Sequence, residues 1–139
     1  MTTESNKELV RQFVDAFWSR GDLDAVERHM ASGVIIHSPD VGNVEGLKSF
    51  NRVLRTAFPD WHSTVEELIA EGDRVAERWL GHGTHQGVFQ GVPPTGKRVE
   101  VPGVVFYRIQ GGAIVEFRGS FDGLRLLQQL GASPPLARP

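Results

Sequence analysis

The chain has no cysteine among its 139 residues. This absence excludes disulfides, thiolate nucleophiles and the zinc sites that depend on cysteine ligands. We therefore expect any chemistry to use oxygen and nitrogen groups.

Long apolar runs and concentrated positive charge are also missing. The longest apolar stretches, such as residues 104–107, are far shorter than the roughly 20 residues that span a bilayer, so no membrane association is expected. The first eight residues contain no basic segment followed by an apolar one, which predicts a cytoplasmic protein without a secretory signal. With a formal charge of −2 and no basic stripe, nucleic acid is an unexpected partner.

What is present is typical of a globular domain. Hydrophobic residues make up 40% of the chain and charged residues 23%, which is ordinary for a protein with one core. No repeat or internal boundary is visible, so residues 1–139 are interpreted as a single domain. The proline-rich tail, about residues 132–139, is expected to be loose.

The first part of the chain has helical periodicity. Ser5 and Glu8 have the spacing of a capping box, and large apolar residues then recur every four positions until Gly21. Asp22 can cap a second helix that is expected to end near Gly33. Residues 34–37 are β-branched and predict a short strand, and a third helix over about 47–57 must stop before Pro59.

From residue 62 onward the pattern changes to strands. Two tight turns are indicated by glycine at 71–73 and 110–112. A last helix should precede Gly131. The predicted strands are 62–70, 74–84, 98–109 and 113–121, and the predicted last helix is 123–130. Three helices followed by such strands favour an α+β domain, in which the helices cover one face of a curved sheet and leave a concave, mostly apolar pocket.

Five short runs resemble one known family. They are Phe-Pro-Asp at 58–60, Glu-Gly-Asp-Arg-Val at 71–75, Gly-Thr-His-Gln-Gly at 83–87, Phe-Gln-Gly-Val-Pro-Pro-Thr-Gly-Lys at 89–97 and Gln-Leu-Gly at 129–131. Together they are similar to the SnoaL-like polyketide cyclases over nearly the whole domain. The resemblance implies an NTF2-like cone, with three N-terminal helices on a curved, mostly antiparallel sheet and a short C-terminal helix.

The resemblance also implies a reaction. Characterised cyclases of this family close a ring of an aromatic polyketide ester by an intramolecular aldol condensation, without metal or cofactor. Their general acid/base is an aspartate near the end of the last strand, and the matching position here is Asp122. Phe121 and Leu124 are expected to keep water from this carboxylate. The alternative is that Asp122 only caps the last helix.

Three more polar residues are candidates for substrate binding. Alternation along 113–121 places Arg118 on the same side as Asp122, and the family usually has tryptophan at the Arg118 position. His37 and His85 could each hydrogen-bond a substrate oxygen. For all three, a solvated or structural role is the alternative.

Aromatic residues would form the apolar wall for a flat polycyclic ligand. Ordinary core packing is the alternative explanation for each of them. The candidates are Trp18, Phe50, Phe58, Trp61, Trp79 and Phe106.

The sequence thus predicts a cofactor-free, cyclase-like enzyme of the lyase or isomerase type, acting on a small apolar or polycyclic molecule. One alternative is an epoxide hydrolase or isomerase that uses Arg118 with Asp122. Another is a non-catalytic carrier of a small apolar ligand. A homodimer or higher homo-oligomer is expected, because a second copy commonly covers the exposed sheet in this fold.

Overall fold

The computed structural model describes residues 2–38 and 41–132. Its first helix, α1 (Thr3–Phe13), continues directly as a π-helical segment (Val14–Ser19). Thr2 caps α1, since its hydroxyl accepts the Ser5 amide while the Ser5 hydroxyl accepts the Thr2 amide, both at 3.0 Å. A capping box is therefore present, but it begins at Thr2 and not at Ser5 as predicted.

A five-stranded sheet forms the second layer, in the order β1-β5-β4-β3-β2. β1 runs parallel to β5, whereas the other neighbouring strands are antiparallel. The α+β class with a mostly antiparallel sheet and a short C-terminal helix is thus confirmed. In chain order the remaining elements are α2 (Ala25–His29), β1 (Met30–His37), α3 (Val44–Ala57), β2 (His62–Glu71), β3 (Arg74–Thr84), β4 (Arg98–Gln110), β5 (Ala113–Phe121) and α4 (Gly123–Gln129).

The boundary between α2 and β1 differs from the prediction. The second helix ends at His29, four residues before Gly33, because Met30 already belongs to β1. Met30 pairs with Ile114, and Ile36 pairs with Phe117 on β5. Local helix propensity is weak compared with such pairing, so the sheet determines where the helix stops.

The core lies between the helices and the concave face of the sheet. Phe13 and Phe17 stack there with ring centroids 5.2 Å apart, and Ile114 and Tyr107 contribute from the sheet side. The opposite face of the sheet is more open, and Phe106 on β4 is 56% exposed there. The two faces of the sheet therefore offer different surroundings to alternate residues of each strand.

The two hairpins are confirmed. Gly72 lies between β2 and β3 with φ of 58°, and Gly111 and Gly112 lie between β4 and β5 with φ of 60° and 77°. These angles favour glycine, which explains why the sequence marks the turns so clearly. The predicted loose tail falls almost entirely outside the described residues. Within the described residues, no helix is both long and apolar enough to cross a membrane.

Candidate active site

A cavity of about 310 Å³ lies between the helices and the concave face of the sheet. This volume is at the lower end of the range for small-molecule sites. Most of its lining is apolar, and aromatic rings are prominent. Principal lining residues are Trp18, Phe50, Leu54, Trp61, Trp79 and Phe121.

Glycines on β3 and β4 make room for two indole rings of this wall. A Cβ atom on Gly103 would lie 2.1 Å from Cζ2 of Trp79, and one on Gly81 would lie 2.2 Å from Cζ2 of Trp61. Trp79 and Gly103 are directly paired across the two strands. The backbone thus approaches the rings more closely than any side chain would allow.

Of the predicted wall residues, Trp18, Phe50, Trp61 and Trp79 line the cavity. The ring of Phe50 lies 6.2 Å from that of Trp18 and 5.7 Å from that of Phe121, measured between centroids. These distances are in the range of favourable aromatic pairs. The four side chains therefore lie around one cavity.

Phe58 and Phe106 are placed elsewhere. Phe58 is fully buried and packs behind the wall, with its ring 5.8 Å from that of Trp61. Phe106 projects from the other face of the sheet. Strand alternation explains the second case, because Val105 and Tyr107 on either side of Phe106 are buried.

A carboxylate inside the cavity belongs to Glu77 on β3. It lines the cavity, and only 3% of the residue is exposed. The hydroxyl of Tyr107, itself buried, donates a hydrogen bond to its Oε1 at 2.7 Å. Burial raises the pKa of Glu77 to about 7, and the hydrogen bond from Tyr107 lowers it by a smaller amount. Burial, together with the charge of Glu77, also raises the pKa of Tyr107 well above its usual value.

The second oxygen of Glu77, Oε2, is buried without a hydrogen-bond partner among the described residues. A buried acceptor without a partner is costly in a folded protein and requires an explanation. Sequence reasoning missed this residue, although a signal was present. Val75, Glu77 and Trp79 share one face of β3, and an acidic residue between two apolar ones on a buried face is unusual.

Asp122 lies at the border of the cavity. Phe121 and Gly123 on either side of it line the cavity, but Asp122 itself does not. Its Oδ1 accepts the Arg125 amide at 3.0 Å, so the carboxylate caps α4 as the alternative interpretation expected. The side chain is exposed, and Leu124 is 42% exposed. The expected dry environment is therefore absent around Asp122.

Arg118 and His37 lie on the face of the sheet away from the cavity. The Arg118 side chain is 61% exposed, while its neighbour Phe117 lines the cavity. Nε2 of His37 is 2.8 Å from Oε2 of Glu116 on β5. We expected these groups to share a pocket with Asp122, and this expectation is wrong. Side chains alternate between the two faces of the sheet up to the end of β5, which places Arg118 on the outer face, whereas Asp122 lies beyond the strand. Because Arg118 and Asp122 do not face one site, the structure does not support the alternative of an epoxide hydrolase or isomerase that uses both residues.

His85 is fully buried outside the lining of the cavity. Its Nδ1 accepts the Thr95 amide at 3.2 Å and lies 3.0 Å from the Thr95 hydroxyl, while its backbone exchanges hydrogen bonds with Gly96 and Lys97. Its ring packs 5.4 Å from that of Phe58. His85 thus holds the loop before β4 against the end of β3.

No cluster of three or more His, Asp or Glu side chains that could hold a metal ion is found within residues 2–38 and 41–132.

Comparison with known proteins decides the family. The model of the SnoaL-like polyketide cyclases matches residues 8–130, which is nearly the whole chain. The chain belongs to the SnoaL-like polyketide cyclase family. Among its curated relatives is the aklanonic acid methyl ester cyclase DnrD of Streptomyces peucetius, 28% identical over 134 residues that cover 92% of each protein. DauD of Streptomyces sp. strain C5, also an aklanonic acid methyl ester cyclase, is 28% identical over 134 residues, which cover 92% of this chain and 83% of DauD.

Solved structures of SnoaL-like proteins have the same fold. AclR of Streptomyces galilaeus, proposed to be a hydroxylase, is 33% identical with a TM-score of 0.87, and the match covers 99% of this chain and 91% of AclR. IdmH of Streptomyces antibioticus, proposed to be a polyketide cyclase, is 31% identical with a TM-score of 0.82 over 91% of this chain and 98% of IdmH. The NTF2-like fold is therefore confirmed, while the descriptions of these relatives differ in chemistry.

Proposed function

We propose that this protein is a cofactor-independent cyclase that closes a ring of a polyketide-like substrate by an intramolecular aldol reaction. The observation that carries the proposal is the cavity, in which an aromatic wall surrounds a buried carboxylate in a member of a cyclase family. Aromatic faces suit a flat conjugated molecule, and enclosure favours proton transfer over reaction with water.

The reaction requires a base and an acid. A base removes a proton from a carbon next to a carbonyl group, that carbon attacks a second carbonyl carbon, and the resulting oxyanion takes up a proton. We propose Asp122 as the base, as the family resemblance implies. Its place between Phe121 and Gly123 supports this role, because a substrate in the cavity would contact both neighbours.

The experiment is to incubate the purified protein with aklanonic acid methyl ester, the substrate class named for DnrD and DauD. An aldol closure adds and removes no atoms, so the product should have an unchanged mass and one ketone fewer by NMR. A product lighter by one CH2 group, formed when water replaces the methanol of the ester, would indicate hydrolysis and contradict the proposal.

Asp122→Asn tests the base. Asparagine caps helices as well as aspartate does, so α4 should keep its first turn while the ability to accept a proton is lost. We expect turnover to fall by about 100-fold or more, with an unchanged melting temperature.

Asp122→Ala is the matched control for the cap. It removes the cap as well as the carboxylate and should cost about 1 kcal/mol of stability in urea unfolding. Full turnover in Asp122→Asn would leave Asp122 as a helix cap only.

A non-catalytic carrier is the second candidate function. The observation that favours it is the exposed, helix-capping position of Asp122. A carrier would return the methyl ester unchanged after prolonged incubation. Asp122→Ala would then change the affinity for the ester, and no turnover would be measured in either protein.

We also propose a homodimer formed through the outer face of the sheet. Its support is the exposure of apolar side chains there, with Ile35 and Phe106 each 56% exposed and Val104 42% exposed.

A further inference from the structure

Glu77 and Tyr107 form a hydrogen-bonded polar pair, in which Glu77 lines the cavity and the buried Tyr107 does not. Glu77 lies opposite Val105 on β4, and Tyr107 is two residues further along the same strand, on the same face. Diagonal neighbours of this kind lie within reach of long side chains. The tyrosine hydroxyl is thereby directed to Oε1, which fixes the carboxyl group and leaves Oε2 as its free oxygen.

We propose that Glu77 is the proton donor of this cavity, which delivers a proton from Oε2 to a ketone oxygen of an uncharged ligand. Tyr107 is the positioning residue, since it acts only through Oε1. This inference rests on the proposed cyclase function and adds the acid to the base proposed there. It also specifies the ligand: the group next to Glu77 is a ketone and carries no negative charge.

The step balances without a co-reactant. When the new carbon–carbon bond forms, the electron pair of the attacked carbonyl moves to its oxygen, and that oxygen takes the proton from Oε2. Glu77 is left as a carboxylate that regains a proton from solvent, while the proton removed from carbon leaves through the base. The net reaction is an isomerisation.

The surroundings of Glu77 fit a carboxyl group that is neutral before the reaction. With a pKa of about 7, a large fraction is protonated in neutral solution. Tyr107 is the one ionisable side chain among the described residues that perturbs it. Side chains that share the cavity from the other elements are uncharged, including Trp18 from the π-helical segment, Ser63 from β2 and Phe117 from β5.

A purely structural role explains the pair less well. A buried glutamate that served only to bond Tyr107 would be replaceable by glutamine, and it would leave Oε2 without a partner for no benefit. A ligand oxygen at Oε2 would supply the missing hydrogen bond.

Two rigid probes test the proposal without turnover. 9-Fluorenone is a flat, uncharged ketone, and fluorene has the same rings without the oxygen. Equilibrium dialysis at pH 5.5 and 8.5 gives the ratio of their affinities. Because their difference in hydrophobicity does not depend on pH, we expect this ratio to favour fluorenone about tenfold more at pH 5.5, with a midpoint near 7.

Variants assign the effect to the pair. Glu77→Gln is nearly isosteric and does not titrate, so its ratio should not change with pH. Tyr107→Phe should keep the pH dependence of the affinity ratio but move its midpoint to a higher pH. In the wild type the hydrogen bond from Tyr107 lowers the pKa of Glu77, so its removal should raise that pKa. Asp122→Asn should respond to pH as the wild type does. A ratio that is flat with pH in the wild type, or unchanged pH dependence in Glu77→Gln, overturns the proposal.

Infrared spectroscopy of bound fluorenone provides a second readout. Hydrogen bonding to Oε2 should lower the carbonyl stretching frequency at pH 5.5, and the Glu77→Leu variant should lose this shift. An identical frequency in wild type and Glu77→Leu would contradict the assignment even if one variant altered stability.

Turnover separates this inference from the proposed function. With the methyl ester substrate, Glu77→Gln should lower kcat about 100-fold, and wild-type activity should fall as pH rises above 7. Ring closure at the normal rate in Glu77→Gln would sustain the cyclase but remove Glu77 as its acid. A pH-dependent fluorenone preference without ring closure would sustain Glu77 as a donor but remove the cyclase.

Discussion

At the scale of residues, two carboxylates border the same cavity in opposite environments. Asp122 is exposed and accepts a backbone amide, whereas Glu77 is buried beside Tyr107. The family resemblance predicts Asp122, because the acid/base aspartate of the family lies near the end of the last strand. Glu77 lies in no motif, but strand alternation alone places it on a buried face. Its contact with Tyr107 could not be predicted, since it depends on the register of β3 against β4.

The buried carboxyl group should make stability depend on pH. The pKa of Glu77 rises from 4.5 in the unfolded chain to about 7 in the folded one, so the folded state holds the proton more tightly. Stability from this group is complete below pH 4.5 and is lost as pH rises through 7, by roughly 3 kcal/mol in total.

Urea unfolding of wild type and Glu77→Gln at pH 5 and 8.5 measures this effect. The difference in unfolding free energy between the two proteins should shift in favour of the variant by roughly 3 kcal/mol at the higher pH. Other titrating groups cancel in this comparison. A difference that stays constant between the two pH values would show that Glu77 is not buried as described.

At the scale of elements, the hairpins and two of the helices follow from local signals. Glycine with positive φ marks both turns, and apolar residues at helical spacing mark α1 and α3. The start of β1 could not be predicted locally, because Met30 is assigned to a strand by its pairing with Ile114. The packing of the cavity wall could not be predicted locally either. In the sequence Gly103 only weakens a predicted strand, whereas in the structure it leaves room for the indole ring of Trp79.

Gly103→Ala should therefore disturb the cavity. The new methyl group would overlap the indole of Trp79, which must move or strain the strand, at a cost of about 1–3 kcal/mol. Near-ultraviolet circular dichroism should change with the tryptophan environment, and fluorenone affinity should fall.

Gly33→Ala is the matched control, because a Cβ atom there would contact nothing within 4 Å. It should alter stability by less than about 1 kcal/mol and leave the spectrum unchanged. Equal effects of the two substitutions would contradict the described packing of Trp79.

At the scale of the whole molecule, the sheet separates two surfaces with different roles. Its concave face and the helices enclose the cavity, while its outer face exposes Phe106 and Val104 beside charged residues such as Arg118. The fold was predicted correctly, but Arg118, His37 and Phe106 were expected in the cavity and lie on the outer face, since neither alternation nor side-chain type alone indicates which face of the sheet a residue occupies. The cavity depends on the whole fold, because its lining comes from β2, β3, β4 and β5 as well as from the helices.

The proposed dimer can be tested on this outer face. Light scattering should give about twice the 15.4 kDa of one chain, and Phe106→Glu should give a monomer because it places a charge in the buried contact. Val53→Glu is the control, since Val53 is 48% exposed on α3. A wild-type monomer at roughly 100 μM would reject the dimer.

If Glu77 is the proton donor, a neutral ligand in the cavity presents a ketone oxygen to it. A crystal structure of the wild-type protein grown at about pH 6 with 9-fluorenone tests it most directly. We expect the rings to lie between Trp18 and Trp79 and the ketone oxygen to lie about 2.5–3.0 Å from Oε2 of Glu77. Fluorenone bound with its oxygen turned away from Glu77, or bound outside this cavity, would contradict it.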